Sequence, residues 1–228
     1  MNYRLAIFDL DGTILNTLHD LAASTNAALT ALGYPTRSVD EVRRFVGNGI
    51  RLLIERAVPA GTPTAQTDEV YRCFMAHYAQ HCADTTRPYD GIPELLRALR
   101  AAGCRTAVVS NKADSAVQPL CRRYFDGLFD AAVGERPGVR KKPAPDSVNE
   151  ILRQLAIPRT QAVYIGDSDV DIHTAQNAQM DCISVDWGFR SRAFLVENGA
   201  SRIVSTPQAL QALILGDGAH EPDSPSCF

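Results

Sequence analysis

A chain of 228 residues has room for one large domain, or for one domain carrying an insert. Hydrophobic residues at 45% and charged residues at 21% are ordinary for a soluble globular protein. A formal net charge of −3, with no basic stripe, argues against nucleic-acid and anionic-membrane partners, and no apolar run reaches membrane-spanning length.

Six cysteines (Cys73, Cys82, Cys104, Cys121, Cys182, Cys227) are scattered without a C-x-x-C pair, which fits a reduced, cytoplasmic protein better than a disulfide framework. The five histidines (His19, His77, His81, His173, His220) show no metal-ligand spacing. The N-terminus runs straight into a strand that ends in candidate chemistry, so it is not expected to be a cleaved signal.

In chain order, Tyr3 to Phe8 reads as a short buried strand. Residues 17 to 32 carry Leu18, Leu21, Ala22, Thr25, Leu29 and Leu32 at helical spacing, closed by Gly33. Further helices are predicted over about 50–57 and 67–82, and no strand is expected between about 14 and 100. This all-helical block reads as an insertion. From Ile92 the texture alternates. Helix 92–102 precedes the apolar strand Thr106-Ala107-Val108-Val109, and a helix over 114–124 contains Pro119. Phe129 to Val133 is a strand, Asp146 to Leu155 a helix, and Ala162 to Ile165 a strand. Residues 170–178 are helical, followed by weaker strands at Cys182–Val185 and Arg202–Val204. Such β-α-β alternation predicts an α/β fold with a doubly wound parallel sheet, a Rossmann-like core. The expected division is a core of residues 1–15 and 88–215, a small all-helical cap over 16–87 inserted after the first strand, and a disordered tail over 216–228.

In open parallel sheets ligands bind beyond the carboxyl ends of the strands, so strand ends are where chemistry is sought. The first strand ends in Asp9-Leu10-Asp11-Gly12-Thr13. Positions i and i+2 of a strand share a side, and Gly12 allows a sharp turn. Two carboxylates so close repel, which leaves either a metal site or an acid/base pair. The second strand end is Ser110-Asn111-Lys112, and a later one is Gly166-Asp167-Ser168-Asp169-Val170-Asp171. Between them lies the basic loop Arg140-Lys141-Lys142-Pro143. Together these supply carboxylates, a hydroxyl, an amide and an ammonium, a set suited to a phosphoryl group chelated with Mg²⁺. Taken singly, a strand-end aspartate is often only a turn former or helix cap, and Asp171 reads equally as a helix-start carboxylate.

The segments Asp9-Leu10-Asp11-Gly12-Thr13, Ser110-Asn111-Lys112, Lys142-Pro143-Ala144-Pro145-Asp146 and Gly166-Asp167-Ser168-x-x-Asp171 resemble, in order, the four motifs of the haloacid dehalogenase superfamily. The helical block and its Phe45-Val46-Gly47-Asn48-Gly49 resemble the phosphoglycolate phosphatase-like branch, and the likeness spans residues 3 to about 213. That resemblance implies a Mg²⁺-dependent phosphatase acting on a small phosphorylated metabolite. Asp9 would attack phosphorus to form an aspartyl-phosphate, and Asp11 would protonate the leaving alcohol and then activate water. Asp9, the backbone carbonyl of Asp11 and Asp167 would hold Mg²⁺, with Asp171 a ligand through water or a partner behind it. Ser110 and Asn111 would bind the phosphoryl group, and Lys142 would neutralise charge between it and Asp9. Asn48 and Gly49 stand evenly between a substrate contact and a helix-start turn. For Lys112, Arg140 and Lys141 a solvated loop charge is at least as good a reading. Asn16 stands where the family often has Asp, a change that bears on hinging.

Three rival readings share parts of this pattern. A phosphomutase of the β-phosphoglucomutase type keeps all four motifs but often has a β-branched apolar residue at the position of Thr13, and uses a basic cap residue to return the phosphate. Pyrophosphate, nucleotides and sugar phosphates also stand as substrates beside phosphoglycolate. A receiver domain of a response regulator needs only about half this length and no helical insert. A non-catalytic, metal-binding regulatory relative would be expected to lack a residue such as Asp9, Asp11, Lys142 or Asp167, all of which are here.

Overall fold

The computed structural model describes residues 1–216, so the tail expected over 216–228 lies, beyond Gly216, outside the described residues. Strand β1 (Leu5–Phe8) is buried at every position. Leu5 and Ile7 face one apolar cluster and Ala6 and Phe8 another, which is why a strand covered on both sides reads as an unbroken apolar run. Strand β2 (Leu15–Asn16) leads into helices α1 (Leu18–Ala31), α2 (Val39–Phe45), α3 (Ile50–Ala57) and α4 (Thr64–His81), and β3 (Arg87–Pro88) leads out. The four helices close over an apolar cluster of their own that includes Leu21, Leu29, Val42, Leu53, Ile54 and Phe74.

Strands β2 and β3 pair antiparallel, Leu15 opposite Pro88 and Asn16 opposite Arg87. This ribbon corrects the expectation of no strand between 14 and 100. Two residues are too few to show a period, and Pro88 is tolerated because both members of a two-stranded ribbon are edges. Helix α2 was also not expected, although its signal is present. The Glu41 amide donates to Ser38 Oγ at 3.2 Å and the Ser38 amide to Glu41 Oε2 at 2.8 Å, a reciprocal capping box. His77 and His81 share one face of α4 but belong to no metal-ligand cluster among the described residues. Their rings stack at 4.2 Å, and each Nδ1 is engaged, with Ser24 and Asp84 respectively.

The second half alternates as expected through α5 (Ile92–Ala101), β4 (Arg105–Ala113), α6 (Asp114–Phe125), β5 (Ala131–Glu135), α7 (Asp146–Gln154), β6 (Ala162–Gly166), α8 (Asp169–Ala178) and β7 (Asp181–Val185). Pro119 sits inside α6 on its exposed side, where a missing amide hydrogen bond is tolerated. Strand β8 (Ile203–Val204) lies between two helices that were not expected, α9 (Arg192–Glu197) and α10 (Pro207–Leu215), each started by a hydroxyl cap from Ser191 or Thr206.

Six strands form one parallel sheet in the order β5-β4-β1-β6-β7-β8. Leu95 and Leu96 of α5, Val117 and Leu120 of α6, and Leu210 and Ile214 of α10 cover the Ala6/Phe8 face. Val148 and Ile151 of α7 and Ala175 of α8 cover the Leu5/Ile7 face. Each large apolar side chain so buried contributes roughly 1.5–3 kcal/mol, which anchors β1 at the middle of the sheet. This is the doubly wound α/β architecture. Cys73, Cys82, Cys104, Cys121 and Cys182 are free thiols. Among the described residues no helix is long and apolar enough to cross a membrane.

Candidate active site

The strand order reverses at β1: the chain continues to β4 and β5 on one side, then returns to β6, β7 and β8 on the other. A crevice opens beyond the carboxyl ends of the strands at such a point. The Asp9 amide extends the ladder by donating to the Ile165 carbonyl at 2.8 Å. Its carboxylate stands 2.8 Å from the ammonium of Lys142, which also lies 2.8 Å from Asp171 Oδ1 and donates to the Tyr164 hydroxyl at 3.1 Å. That hydroxyl donates in turn to the Val109 carbonyl at 3.1 Å. Lys142 is thus fully committed among buried partners, a lysine held by two carboxylates and a phenol rather than by solvent.

Asp171 occupies the first turn of α8, where its Oδ2 accepts from both the amide and the hydroxyl of Ser168, at 3.1 and 2.6 Å. It is therefore a capping carboxylate and the second partner of Lys142, so both of its oxygens are engaged. Gly166 permits this closeness, because a Cβ there would fall 2.2 Å from Asp171 Cγ. Asp167 accepts from Thr13 Oγ1 at 3.1 Å and from the Phe189 amide at 2.7 Å. Gly12, at φ +85°, lets the loop after β1 pass against this carboxylate, and a Cβ there would lie 2.4 Å from Asp167 Oδ2.

Oxygens of Asp9, Asp167 and Asp171 lie within 4.8 Å of one another, all three side chains buried. Burial pushes the Asp9 carboxyl well above its ordinary range; Lys142 opposes this, and the charges of Asp171 and Asp11 add to it. Burial, then Asp171 and Asp9, raise Asp167 as well. Three crowded carboxylates against one ammonium leave an excess of negative charge that a hard divalent cation would offset. The donor set fits Mg²⁺: carboxylate oxygens, with Asp9 and Asp167 lining an open cavity.

Lys112 corrects the reading of a solvated loop charge. It is buried, and its ammonium donates to both carboxylate oxygens of Asp11 at 2.8 Å. Burial alone would lower its pKa; Asp11, then Tyr78, hold it above the ordinary lysine value. Thr17 donates to Asp11 Oδ1 at 2.7 Å. Oδ1 of Asp11 is thereby filled while Oδ2 keeps one lone pair, and any part Asp11 takes in holding a metal falls to its backbone carbonyl. Arg140 pairs instead with Asp146 at the surface, and Lys141 donates to the Asn48 carbonyl at 3.0 Å.

Ser110 lines the cavity, its Oγ accepting from the Lys112 amide at 3.2 Å. Asn111 also lines it, but its amide nitrogen donates to the carbonyls of Lys142 at 3.0 Å and Gly47 at 3.3 Å, and its Oδ1 is buried without a partner. Gly49 borders the same cavity, whereas Asn48 lies in a neighbouring cavity of about 420 Å³ with Arg44, Arg56 and Arg190. Leu21, Val46, Ile50 and Leu53 of the helical block and Phe189 form the apolar wall facing the carboxylates. The end of β7 belongs to the site as well. The loop after β7 supplies the Phe189 amide, Arg190 (whose guanidinium donates to the carbonyls of Arg43 and Val46, each at 2.6 Å) and Trp187, whose indole donates to the Thr13 carbonyl at 3.0 Å. Applying the rule to Val185 as well would have found that loop.

The fold is that of an α/β protein with its candidate site at the carboxyl end of β1. The chain belongs to the haloacid dehalogenase-like hydrolase family, whose sequence model it matches over residues 6–185. It is 34% identical over 190 residues to the phosphoglycolate phosphatase of Colwellia psychrerythraea, covering 80% of this chain and 84% of that one. Over 190 residues it is 32% identical to the N-acetylmuramic acid 6-phosphate phosphatase of Pseudomonas aeruginosa, covering 83% and 84%. A crystal structure of a candidate phosphoglycolate phosphatase from Lactobacillus delbrueckii subsp. bulgaricus superposes with a TM-score of 0.91 at 40% identity, covering 95% of this chain and all of that one. Within the family the chain sits in the phosphoglycolate phosphatase-like branch, and its enzyme class is the phosphoric monoester hydrolases.

Proposed function

We propose that the chain hydrolyses a small phosphate monoester through an aspartyl-phosphate on Asp9, with Mg²⁺ held by Asp9, Asp167 and the Asp11 carbonyl. The observation that carries this is the placement of Asp9 beside the Lys142 ammonium, with Asp167 and Asp171 gathered round it. Bound Mg²⁺ supplies charge neutralisation for the phosphate oxygens. Lys142 orients Asp9 for in-line attack and offsets the charge of the incoming phosphoryl group. The Ser110 hydroxyl and the backbone around it receive the phosphate oxygens. Asp171 works one step removed, by fixing Lys142. Asp11 gives a proton to the departing alkoxide and takes one from the water that attacks the phosphoaspartate, so that splitting the displacement in two leaves the enzyme unchanged.

Residues 16–87 act as a cap over this chemistry, while residues 1–15 and 88–215 carry it. The cap's contribution to the cavity wall is apolar, and the cations lining that cavity, Lys112 and Arg190, both come from the sheet side. A mutase needs a basic cap group to hand the phosphate back, so hydrolysis is favoured. About 40 Å³ is free in the cavity, room for a few waters or one phosphoryl group. Likeness to the phosphoglycolate phosphatases supports phosphoglycolate as the leading substrate, with sugar phosphates such as N-acetylmuramic acid 6-phosphate beside it.

A phosphate-release panel of phosphoglycolate, N-acetylmuramic acid 6-phosphate, sugar phosphates, nucleotides and pyrophosphate, run with Mg²⁺ and with a chelator, tests the reading. Phosphoglycolate is expected to give the highest kcat/KM, chelator to abolish turnover, and Asp9→Asn to abolish it with an unchanged circular dichroism spectrum. Wild-type rates from Asp9→Asn, or full activity in chelator, would overturn the mechanism.

A further inference from the structure

Lys112 is the one buried cation of the site that the proposed chemistry leaves without a role. Only 2% of its side chain is exposed. Its ammonium lies 2.8 Å from each carboxylate oxygen of Asp11 and 5.0 Å from the centre of the Tyr78 ring, which belongs to α4 of the helical block. Taking an ammonium out of water is unfavourable unless it finds a counter-charge, and here the counter-charge is one carboxylate, gripped at both oxygens. An aromatic face covers the ammonium from another side. Thr17, just before α1, holds Oδ1 of the same carboxylate at 2.7 Å. Asp11 is therefore fixed by the end of β4 and the entry to α1, with α4 seated over the lysine that fixes it.

Proton transfer is sensitive to such fixing, since a displacement of about 1 Å can cost on the order of 10²-fold in rate. Asp11 has to meet two different partners in one turnover, an alkoxide and then a water. Oδ1 accepts from both Lys112 and Thr17, whereas Oδ2 accepts from Lys112 alone and keeps one lone pair for the transferring proton, so the same held oxygen faces each partner. We propose that Lys112 is the positioning residue for Asp11, its ammonium setting the place and plane of that carboxylate for both proton transfers. The proposal rests on the reading of Asp11 as the proton-transfer group. It also links covering to chemistry. The Tyr78 ring reaches Lys112 only with α4 in place, so the ammonium that holds Asp11 is fully covered only when the helical block is seated over the sheet edge.

The test is a double-mutant cycle on the full chain with p-nitrophenyl phosphate and Mg²⁺, comparing wild type, Lys112→Met, Asp11→Asn and the double variant. Lys112→Met is expected to lower kcat by about 10- to 100-fold while KM stays within about threefold, because Lys112 acts on Asp11 and not on substrate. In the Asp11→Asn background the same change is expected to cost no more than about twofold further, since nothing remains to be positioned. If Lys112→Met does not fold, as judged by circular dichroism, Lys112→Gln takes its place with the same expectations. A kcat within about twofold of wild type, an equal loss in both backgrounds, or a rise in KM with kcat unchanged would each overturn the proposal. A wild-type chain that hydrolyses no phosphate monoester at all removes the Asp11 reading and this inference with it, and that failure is visible before any variant is made.

Discussion

The charge balance of the site turns on Lys142. Its ammonium serves Asp9, Asp171 and the Tyr164 hydroxyl at once, all of them buried. Removing it leaves two carboxylates facing each other in an apolar interior, and breaking a buried ion pair from one side costs about 3–5 kcal/mol. Lys142→Met is accordingly expected to lose activity and, in chelator, to lose about 3 kcal/mol or more of unfolding free energy by urea titration. Added Mg²⁺ is expected to restore part of that stability, because a cation that binds only the folded chain stabilises it by mass action. An unchanged urea midpoint would show that the cluster carries no such strain. Lys112 shows why some of this was hidden in the sequence. A lysine just past an apolar strand reads as solvated, and what buries it is Asp11, 101 residues earlier in the chain, together with a ring from α4.

At the scale of elements, the segment after α2 is held by the sheet through its own backbone. Arg190 takes the carbonyls of Arg43 and Val46, Asn111 that of Gly47, and Lys141 that of Asn48. The donors come from the end of strand β4 (Asn111) and from the loops after β5 (Lys141) and β7 (Arg190), and a guanidinium at the last turn of α2 also meets the negative end of the helix dipole. Arg190→Met is expected to raise hydrogen–deuterium exchange over residues 42–49 by about tenfold with little change in thermal midpoint, since hydrogen bonds from a charged group are worth roughly 1.5–3 kcal/mol. Unaltered protection there would mean the segment is held by its apolar contacts alone.

Asp20 ties the opposite side of the helical block. Burial alone would raise its pKa, but hydrogen bonds from the Thr85 hydroxyl and from the amides of Thr85 and Thr86 outweigh that and hold it below the ordinary value. A carboxyl lowered on folding adds stability that is complete above its unfolded pKa and is lost as pH falls through the folded one. Asp20→Asn is therefore expected to cost on the order of 2 kcal/mol at neutral pH. The gap to wild type should close as pH drops below about 4 in urea titrations. A gap independent of pH would contradict the assignment.

Taken whole, the molecule separates what a single sequence can reveal from what only assembly creates. Apolar runs such as Leu5–Phe8 and Ala162–Ile165 are legible because strands buried on both faces leave no alternative pattern, and the carboxylates that follow them could be placed at one edge by topology alone. The capping box at Ser38 and Glu41 is equally legible, a serine three residues before a glutamate. The ribbon of β2 and β3 was not, since its pairing joins Leu15 to Pro88 across the whole helical block.

That ribbon has a corollary for the length of the segment it closes. The chain leaves the sheet and returns to it at neighbouring points, so the sheet registers the intervening segment as a single closed loop. The entropy of closing a loop grows only logarithmically, and a segment of twice the length would cost the host about 0.6 kcal/mol more. The length of the segment between β2 and β3 is therefore nearly free to vary as far as loop closure is concerned, and what ties it to the sheet edge is the groups it lends to the site, the side chains of Thr17 and Tyr78 among them.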